Sequence, residues 1–217
     1  MTTPTPSGAT PEVESPEAVR SSTAVPAPMP LNVPILLTWL RIVLIPVFVG
    51  VYYVPDTWLS PVARNWTAMS IFLVAAITDW LDGWLARRWG ITTAFGAFLD
   101  PVADKLMVAA ALIVLVWLER AETYLAIIII GREIAISALR EWMAKVGQAK
   151  SVAVAFVGKL KTVSQMVAIP LLLFHDRLFG LDCQWLGTVL INVAAVLTVI
   201  SMLYYLRKAL PYAAVRE

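Results

Sequence analysis

Charge, cysteine and histidine are all scarce in this chain. Its 217 residues include one cysteine and one histidine, and Asp, Glu, Lys and Arg together make up 15%. A single cysteine excludes a disulfide-stabilised scaffold and a multi-cysteine metal site, and a single histidine excludes a histidine-rich metal centre. The formal net charge of +2 gives no indication of a nucleic-acid partner. The positions of the few charged residues should therefore be informative about function.

Apolar residues dominate the rest of the sequence. Hydrophobic residues make up 59% of the chain, whereas an ordinary soluble domain is roughly 45–50% apolar. Residues 1–30 differ, because they hold seven of the fourteen prolines and almost no large apolar residues. Such a segment cannot bury enough surface to offset its ordering entropy. We predict a disordered, Pro-rich cytoplasmic tail at 1–30, a membrane domain at 31–210 and a short C-terminal tail at 211–217.

Six apolar stretches come close to the roughly 20 residues that a membrane-spanning helix needs. Backbone groups in lipid must be hydrogen-bonded within their own segment, and no stretch alternates with period two, so we expect an all-α bundle of six transmembrane helices. Lys and Arg are more frequent after the second and fourth stretches and at the C-terminus. Because cytoplasmic segments carry an excess of these residues, this distribution predicts that both termini are cytoplasmic. The Asp100–Pro101 pair is typical of a helix start. The predicted spans are 35–54, 66–86, 99–118, 122–143, 153–174 and 185–207.

Four aspartates are concentrated where the second and third predicted helices meet. Asp79 and Asp82 are three residues apart, and Asp100 and Asp104 are four apart, so each pair shares a helix face. A turn between the two helices would bring the pairs together near the cytoplasmic side. Four unpaired carboxylates would repel each other strongly, and one or two divalent cations would remove that conflict. Because all-oxygen ligands favour Mg²⁺ or Mn²⁺, we expect a site for these metals.

Small residues accompany the aspartates. Gly83 and Ala86 follow Asp82 in the second helix, and Gly96 precedes Asp100 by four residues. Their lack of bulk would let a ligand come close to the backbone. Close packing between membrane helices is the alternative explanation.

The combined spacing is Asp79-x-x-Asp82-Gly83-x-x-Ala86-Arg87, then Gly96, Asp100 and Asp104, which is eight fixed positions within 26 residues. This pattern resembles the signature of the CDP-alcohol phosphatidyltransferase family. Segments 36–46, 131–144 and 157–169 extend the resemblance over about 31–208. Ile35 is a departure, because many members of the family have Asn at that position.

The resemblance implies an enzyme that transfers a phosphatidyl group from CDP-diacylglycerol to sn-glycerol 3-phosphate, giving phosphatidylglycerophosphate and CMP. It also implies a two-metal site for Mg²⁺ or Mn²⁺, in which Asp79, Asp82, Asp100 and Asp104 are ligands. Asp104 is in addition the implied catalytic base that takes the proton from the attacking hydroxyl. The residues implied to bind CDP-diacylglycerol are Thr38, Gly83, Ala86, Arg87, Thr93 and Gly96.

The second substrate, glycerol 3-phosphate, is a small dianion and needs a cationic pocket of its own. Basic residues recur in or beside the fourth and fifth predicted helices, where apolar residues would otherwise be expected. We expect Arg132, Lys159 and Arg140 to bind the acceptor phosphate, and Glu133 to orient a cation. Lys161 is a further candidate. The alternative is that the long basic side chains only reach out to the cytoplasmic surface.

Other functions agree less well with the sequence. The signature alone does not distinguish glycerol 3-phosphate from serine, inositol phosphate or phosphatidylglycerol as the acceptor. A prenyltransferase would have its aspartate pairs farther apart in a longer bundle. A divalent-cation transporter would need polar groups across the membrane, and the apolar run at 107–118 provides none. The resemblance further implies a homodimer in the bacterial inner (cytoplasmic) membrane, and we expect an active site that faces the cytoplasm.

Overall fold

The computed structural model describes residues 33–89, 94–147, 156–178 and 180–213, all within one compact unit, Asn32–Glu217. The predicted tail at 1–30 lies outside the described residues. The helices in the described part of the chain are α1 (Val33–Gly50), α2 (Pro61–Trp89), α3 (Ala94–Trp117), α4 (Thr123–Lys145), α5 (Phe156–Phe174) and α6 (Cys183–Ala213). The all-α prediction is confirmed, with one small addition. Two strands of two residues each, β1 (Arg177–Leu178) and β2 (Leu181–Asp182), pair antiparallel between α5 and α6.

Three of the described helices are long and apolar enough to cross a membrane, at Ile35–Tyr53, Pro61–Leu85 and Cys183–Tyr212. The first of these spans combines α1 with a 3₁₀ turn at Val51–Tyr53. The apolar part of α5, Leu160–Phe174, is shorter, and α3 and α4 each contain several charged residues. The chain is therefore an α-helical membrane protein.

Two helix starts differ from the sequence prediction. α2 begins at Pro61 rather than near residue 66, because proline fits the first helical position and the Ser60 hydroxyl accepts a hydrogen bond from the Ala63 amide at 3.3 Å. α3 begins at Ala94, so the prediction that Asp100 and Pro101 start this helix is wrong. The Asp100 carboxylate lies inside α3 and accepts a hydrogen bond from α1 instead of capping its own helix.

The helices pack in two groups around one apolar core. α1 packs against α2 and α3, and α6 packs against α4 and α5. The core contains buried residues of several helices, among them Phe48, Phe72, Leu112, Ile129 and Leu172. A smaller cluster joins α4 to α6 through Ile136, Met143, Tyr205 and Ala209. This smaller cluster brings the polar residues of α4 next to α6.

A polar cluster connects the end of α3 to the start of α2 and the end of α5, on the side away from the aspartates. Arg120, just after α3, donates hydrogen bonds to the Leu173 carbonyl oxygen at 2.7 Å and to the Asn65 side-chain oxygen at 2.9 Å. Burial, together with the positive charge of Arg120, lowers the pKa of His175 below its ordinary value, which favours a neutral imidazole. Exposed tryptophans at the same end fit an aromatic belt at a membrane–water boundary: Trp58, Trp66, Trp117 and Trp185.

Candidate active site

A buried arginine from α1 lies between two of the predicted aspartates. Arg41 Nη1 is 2.8 Å from Asp79 Oδ1, and Arg41 Nη2 donates a hydrogen bond to Asp82 Oδ2 at 2.6 Å. The Arg41 side chain is 1% exposed and that of Asp82 is 4% exposed. A charge this deeply buried requires a partner of opposite charge, and here α2 supplies two.

The same face of α1 reaches a third aspartate. The hydroxyl of Thr38, three residues before Arg41, donates a hydrogen bond to Asp100 Oδ1. The fourth, Asp104, lines a small cavity together with Arg41, and the charges of Asp79 and Arg41 act on its carboxylate. The structure therefore brings the four aspartates into one region bounded by α1, α2 and α3, as their spacing predicts.

The donor set fits a divalent cation chemically. The aspartates offer only oxygen ligands, which suit Mg²⁺ or Mn²⁺, and Arg41 engages one oxygen of Asp79 and one of Asp82. Within the described residues, no three His, Cys, Asp or Glu side chains are grouped closely enough to hold an ion. Three of the four carboxylates, those of Asp79, Asp82 and Asp100, instead contact Arg41 or Thr38. Metal binding at these positions therefore stays a prediction.

A polar cavity of about 190 Å³ adjoins Asp104 and is lined by α3, α4, α5 and α6. Four cationic and two acidic side chains line it, which gives the lining a formal charge of +2. These charged residues are Lys105, Arg132, Arg140, Lys161, Asp104 and Glu133.

Two of the cations of this cavity, Arg132 and Lys161, contact side chains on neighbouring helices. Lys161 of α5 donates a hydrogen bond to Glu133, and Arg132 Nη1 lies 3.3 Å from the same carboxylate oxygen. Arg132 Nη2 also donates to the Ser201 hydroxyl of α6 at 3.0 Å. Glu133 thus contacts two cations, in line with the expectation that it orients one. Both cations are buried, so they do not simply extend to the surface.

An aromatic ring from α6 supports both arginines of α4. The guanidinium carbons of Arg132 and Arg140 lie 5.9 and 5.6 Å from the centre of the Tyr205 ring. Tyr205 is fully buried and lines the cavity. The ring faces attract cations, so Tyr205 helps to set the positions of both arginines.

Not every predicted residue lies in the described part of the chain. Arg132 and Arg140 line the cavity as expected, and Lys161 lies beside them. Gly83 is half-buried next to Asp82, and Gly96 is buried in α3 one turn before Asp100. Thr93 and the side chains of Ala86, Arg87 and Lys159 lie outside the described residues.

Three residues of the site were not assigned a role from the sequence. The sequence does single out Arg41, because it is the only charged residue between positions 33 and 54. An ionisable side chain inside an apolar helix indicates a functional role. No sequence pattern indicates a role for Ser201 or Tyr205. They lie four residues apart on α6, but the sequence does not show that this face packs against α4.

A helical membrane scaffold with four aspartates beside a cationic cavity defines a class of protein. The chain matches the sequence profile of the CDP-alcohol phosphatidyltransferases over residues 31–200, and it belongs to this family. The family predicted from the aspartate motif is confirmed. Similar curated proteins from Escherichia coli (strain K12) and Shigella flexneri are each named CDP-diacylglycerol–glycerol-3-phosphate 3-phosphatidyltransferase. Each is 51% identical over 187 residues, which covers 83% of this chain and 96% of the relative.

Proposed function

We propose that this protein transfers the phosphatidyl group of CDP-diacylglycerol to sn-glycerol 3-phosphate, forming phosphatidylglycerophosphate and CMP. The observation that carries the proposal is the cavity beside Asp104, whose charged lining sums to +2. A site of this charge complements a phosphate monoester dianion. The names of the similar bacterial proteins specify the same donor and the same acceptor.

Arg132, Arg140 and Lys161 bind the acceptor phosphate in this proposal, with Lys159 as a further candidate. Arginine suits the role because its planar guanidinium donates two hydrogen bonds to one phosphate. Glu133 keeps Lys161 and Arg132 close together, and so limits the repulsion between two cations in one cavity. With its phosphate in the cavity, the acceptor has its hydroxyl groups free to approach Asp104.

The proposed reaction is a single displacement at phosphorus. A hydroxyl oxygen of glycerol 3-phosphate attacks the phosphorus atom that carries the diacylglycerol. A new P–O bond forms, the bond to the CMP oxygen breaks, and Asp104 takes the hydroxyl proton. A carboxylate serves as the general base when the proton leaves late in the transition state.

The aspartates Asp79, Asp82, Asp100 and Asp104 would hold Mg²⁺ or Mn²⁺. Such metals, when bound, neutralise the diphosphate and the charge that develops on the leaving group. Residues next to the aspartates would bind the cytidine diphosphate. The half-buried Gly83 and the contact between Thr38 and Asp100 support this placement. The full proposed set is Thr38, Gly83, Ala86, Arg87, Thr93 and Gly96.

We also propose that all six helices cross the bacterial inner membrane, with both termini and the active site on the cytoplasmic side. The distribution of Lys and Arg supports this orientation, and the exposed tryptophans at the opposite helix ends fit the outer boundary. A homodimer is proposed on the family resemblance.

The test is a transfer assay with purified protein in lipid–detergent micelles. CMP release is measured with CDP-diacylglycerol and each acceptor in turn, with Mg²⁺, with Mn²⁺ and with EDTA. We expect glycerol 3-phosphate to be preferred and EDTA to stop the reaction. A preference for serine, inositol phosphate or phosphatidylglycerol would refute the proposed acceptor, and full activity in EDTA would refute the metal site.

A matched pair of lysine variants tests the acceptor cavity in the same assay. Lys161→Ala should raise the KM for glycerol 3-phosphate and leave the KM for CDP-diacylglycerol near the wild-type value. Lys145→Ala is the control, because Lys145 is exposed on α4 and pairs only with Glu141 among the described residues. Equal KM values for glycerol 3-phosphate in the two variants would contradict the proposed cavity.

A further inference from the structure

Two polar residues on one face of α1 contact three of the four aspartates. Thr38 and Arg41 are three residues apart and each is 1% exposed. Arg41 contacts Asp79 and Asp82 through different nitrogens of its guanidinium group, and Thr38 donates to Asp100. These contacts link α1 to both acidic helices at once.

We propose that Arg41 and Thr38 are positioning residues, which hold Asp79, Asp82 and Asp100 in the orientation needed to bind a divalent cation. The inference rests on the proposed metal-dependent transfer. Each contact occupies one carboxylate oxygen and fixes the direction of the other. Partners that orient metal ligands from behind typically change metal affinity by 10- to 100-fold when they are replaced.

A purely structural role would not require this chemistry. A buried ion pair is weak evidence for stability, because well-packed apolar residues often stabilise a fold as well or better. The rest of α1 is apolar and already packs against α2 and α3. The guanidinium is also suited to position two carboxylates, since its nitrogens lie in a fixed planar fork.

The charge of Arg41 and its positioning of the aspartates have opposite effects on metal binding, so an experiment can separate the two effects. The positive charge of Arg41 by itself repels a dication, and removing only that charge should strengthen binding. Arg41→Lys keeps the charge but presents one nitrogen instead of a fork. Thr38→Val keeps the shape of the side chain and removes only the hydroxyl donor. Both variants therefore test positioning without a change in formal charge.

The experiment measures Mn²⁺ binding by electron paramagnetic resonance with the full-length protein in micelles and no lipid substrate. We expect each variant to bind Mn²⁺ about 10- to 100-fold more weakly than the wild type. Raising the Mn²⁺ concentration should restore part of the lost transfer activity. Thermal unfolding in EDTA is recorded in parallel, and Thr38→Val serves as the test if Arg41→Lys does not fold.

Two further variants make the outcomes distinguishable. Arg64→Lys is the matched control, because Arg64 pairs with Asp56. Arg64 lies about 22 Å from Asp79 along α2, at 1.5 Å per residue. The Mn²⁺ affinity of this variant should equal that of the wild type. Asp82→Asn should lose Mn²⁺ binding. If Asp82→Asn binds Mn²⁺ normally, the proposed metal site is wrong and the inference fails with it. If only Asp82→Asn is impaired, the positioning role is overturned while the proposed function stands.

Discussion

At the scale of single residues, Asp104 differs from the other three aspartates. Asp79, Asp82 and Asp100 are each held by Arg41 or Thr38. Asp104 has no ion pair or hydrogen bond with another side chain in the described part of the chain, and it borders the cationic cavity. A carboxylate that is free on the side of the acceptor is suited to receive a proton.

We predict that Asp104→Asn lowers kcat by about 10²- to 10⁴-fold, the usual contribution of a general base. The amide keeps the shape of the side chain but cannot take the proton. CMP release gives kcat, and thermal unfolding should stay close to that of the wild type. Glu141→Gln is the control, because Glu141 is exposed and pairs only with Lys145 among the described residues. Normal turnover by Asp104→Asn would exclude this residue as the base.

The contacts of Tyr205 lead to a second prediction at this scale. Tyr205→Leu removes the ring shared by Arg132 and Arg140. Two cation–π contacts of roughly 0.5–1 kcal/mol each correspond to about a tenfold effect. We expect the KM for glycerol 3-phosphate to rise by about that factor, with little change in the KM for CDP-diacylglycerol. Steady-state kinetics with each substrate varied in turn measures both.

The neighbouring tyrosine provides the control for this variant. Tyr204 is exposed and lies outside the cavity lining, where its ring contacts Lys208. Tyr204→Leu should therefore keep the wild-type KM for glycerol 3-phosphate. An unchanged KM in Tyr205→Leu, or an equal rise in both variants, would contradict the role given to Tyr205.

At the scale of helices, Gly187 of α6 has the least space for a side chain among the glycines compared, because it packs against Leu172 of α5. A Cβ atom added to Gly187 would come within 2.8 Å of Leu172 Cγ, whereas one added to Gly131 would meet nothing within 4 Å. Gly187→Ala should lower the free energy of unfolding by about 1–3 kcal/mol, as overpacked cores usually do. Gly131→Ala, in the helix interior of α4, should leave stability unchanged or raise it.

Denaturant or thermal unfolding in one detergent compares these two glycine variants directly. The prediction would be contradicted by a Gly187→Ala protein as stable as Gly131→Ala. Because α5 and α6 supply Lys161 and Tyr205 to the cavity, a shift between them should also weaken binding of the acceptor.

Helix existence was easier to predict than helix ends. The six apolar stretches were recognisable because each is long, and all six correspond to helices. The start of α2 differs from the prediction because Ser60 caps the helix. In α3, Asp100 lies inside the helix and contacts Thr38 of α1 instead of capping its own helix. This contact joins residues 62 apart in sequence, and local patterns contain no information about it.

In the candidate site, too, some residues could be predicted from the sequence and others could not. The four aspartates were predictable because their spacing places them on two helix faces, and Arg132 and Arg140 because charge is rare in apolar helices. The support from Ser201 and Tyr205 was not predictable, since it depends on how α6 packs against α4. Sequence therefore indicates the reactive groups more readily than the residues that hold them.

At the scale of the whole molecule, the proposed topology predicts which loops face the cytoplasm. Cys183, the only cysteine, is buried, so a Cys183→Ser background allows single cysteines to be placed elsewhere. In intact cells, Asp56→Cys should react with a membrane-impermeant maleimide. Lys145→Cys should react only after the membrane is permeabilised. Labelling of Lys145→Cys from outside would show that the proposed orientation is inverted.

The buried contacts of Arg41 also bear on how the chain enters the membrane during synthesis. A charged residue at the centre of an inserting helix costs about 2.5–3.5 kcal/mol on insertion scales. Arg41 finds Asp79 and Asp82 on the very next helix, so this cost is offset as soon as α2 has emerged. Arg132 has Glu133 beside it on α4, but its contacts with Ser201 and Tyr205 form only with the last helix. The contacts of Arg41 and Thr38 with the aspartates can therefore form once α1, α2 and α3 are made, whereas the cationic cavity is completed only when α6 joins.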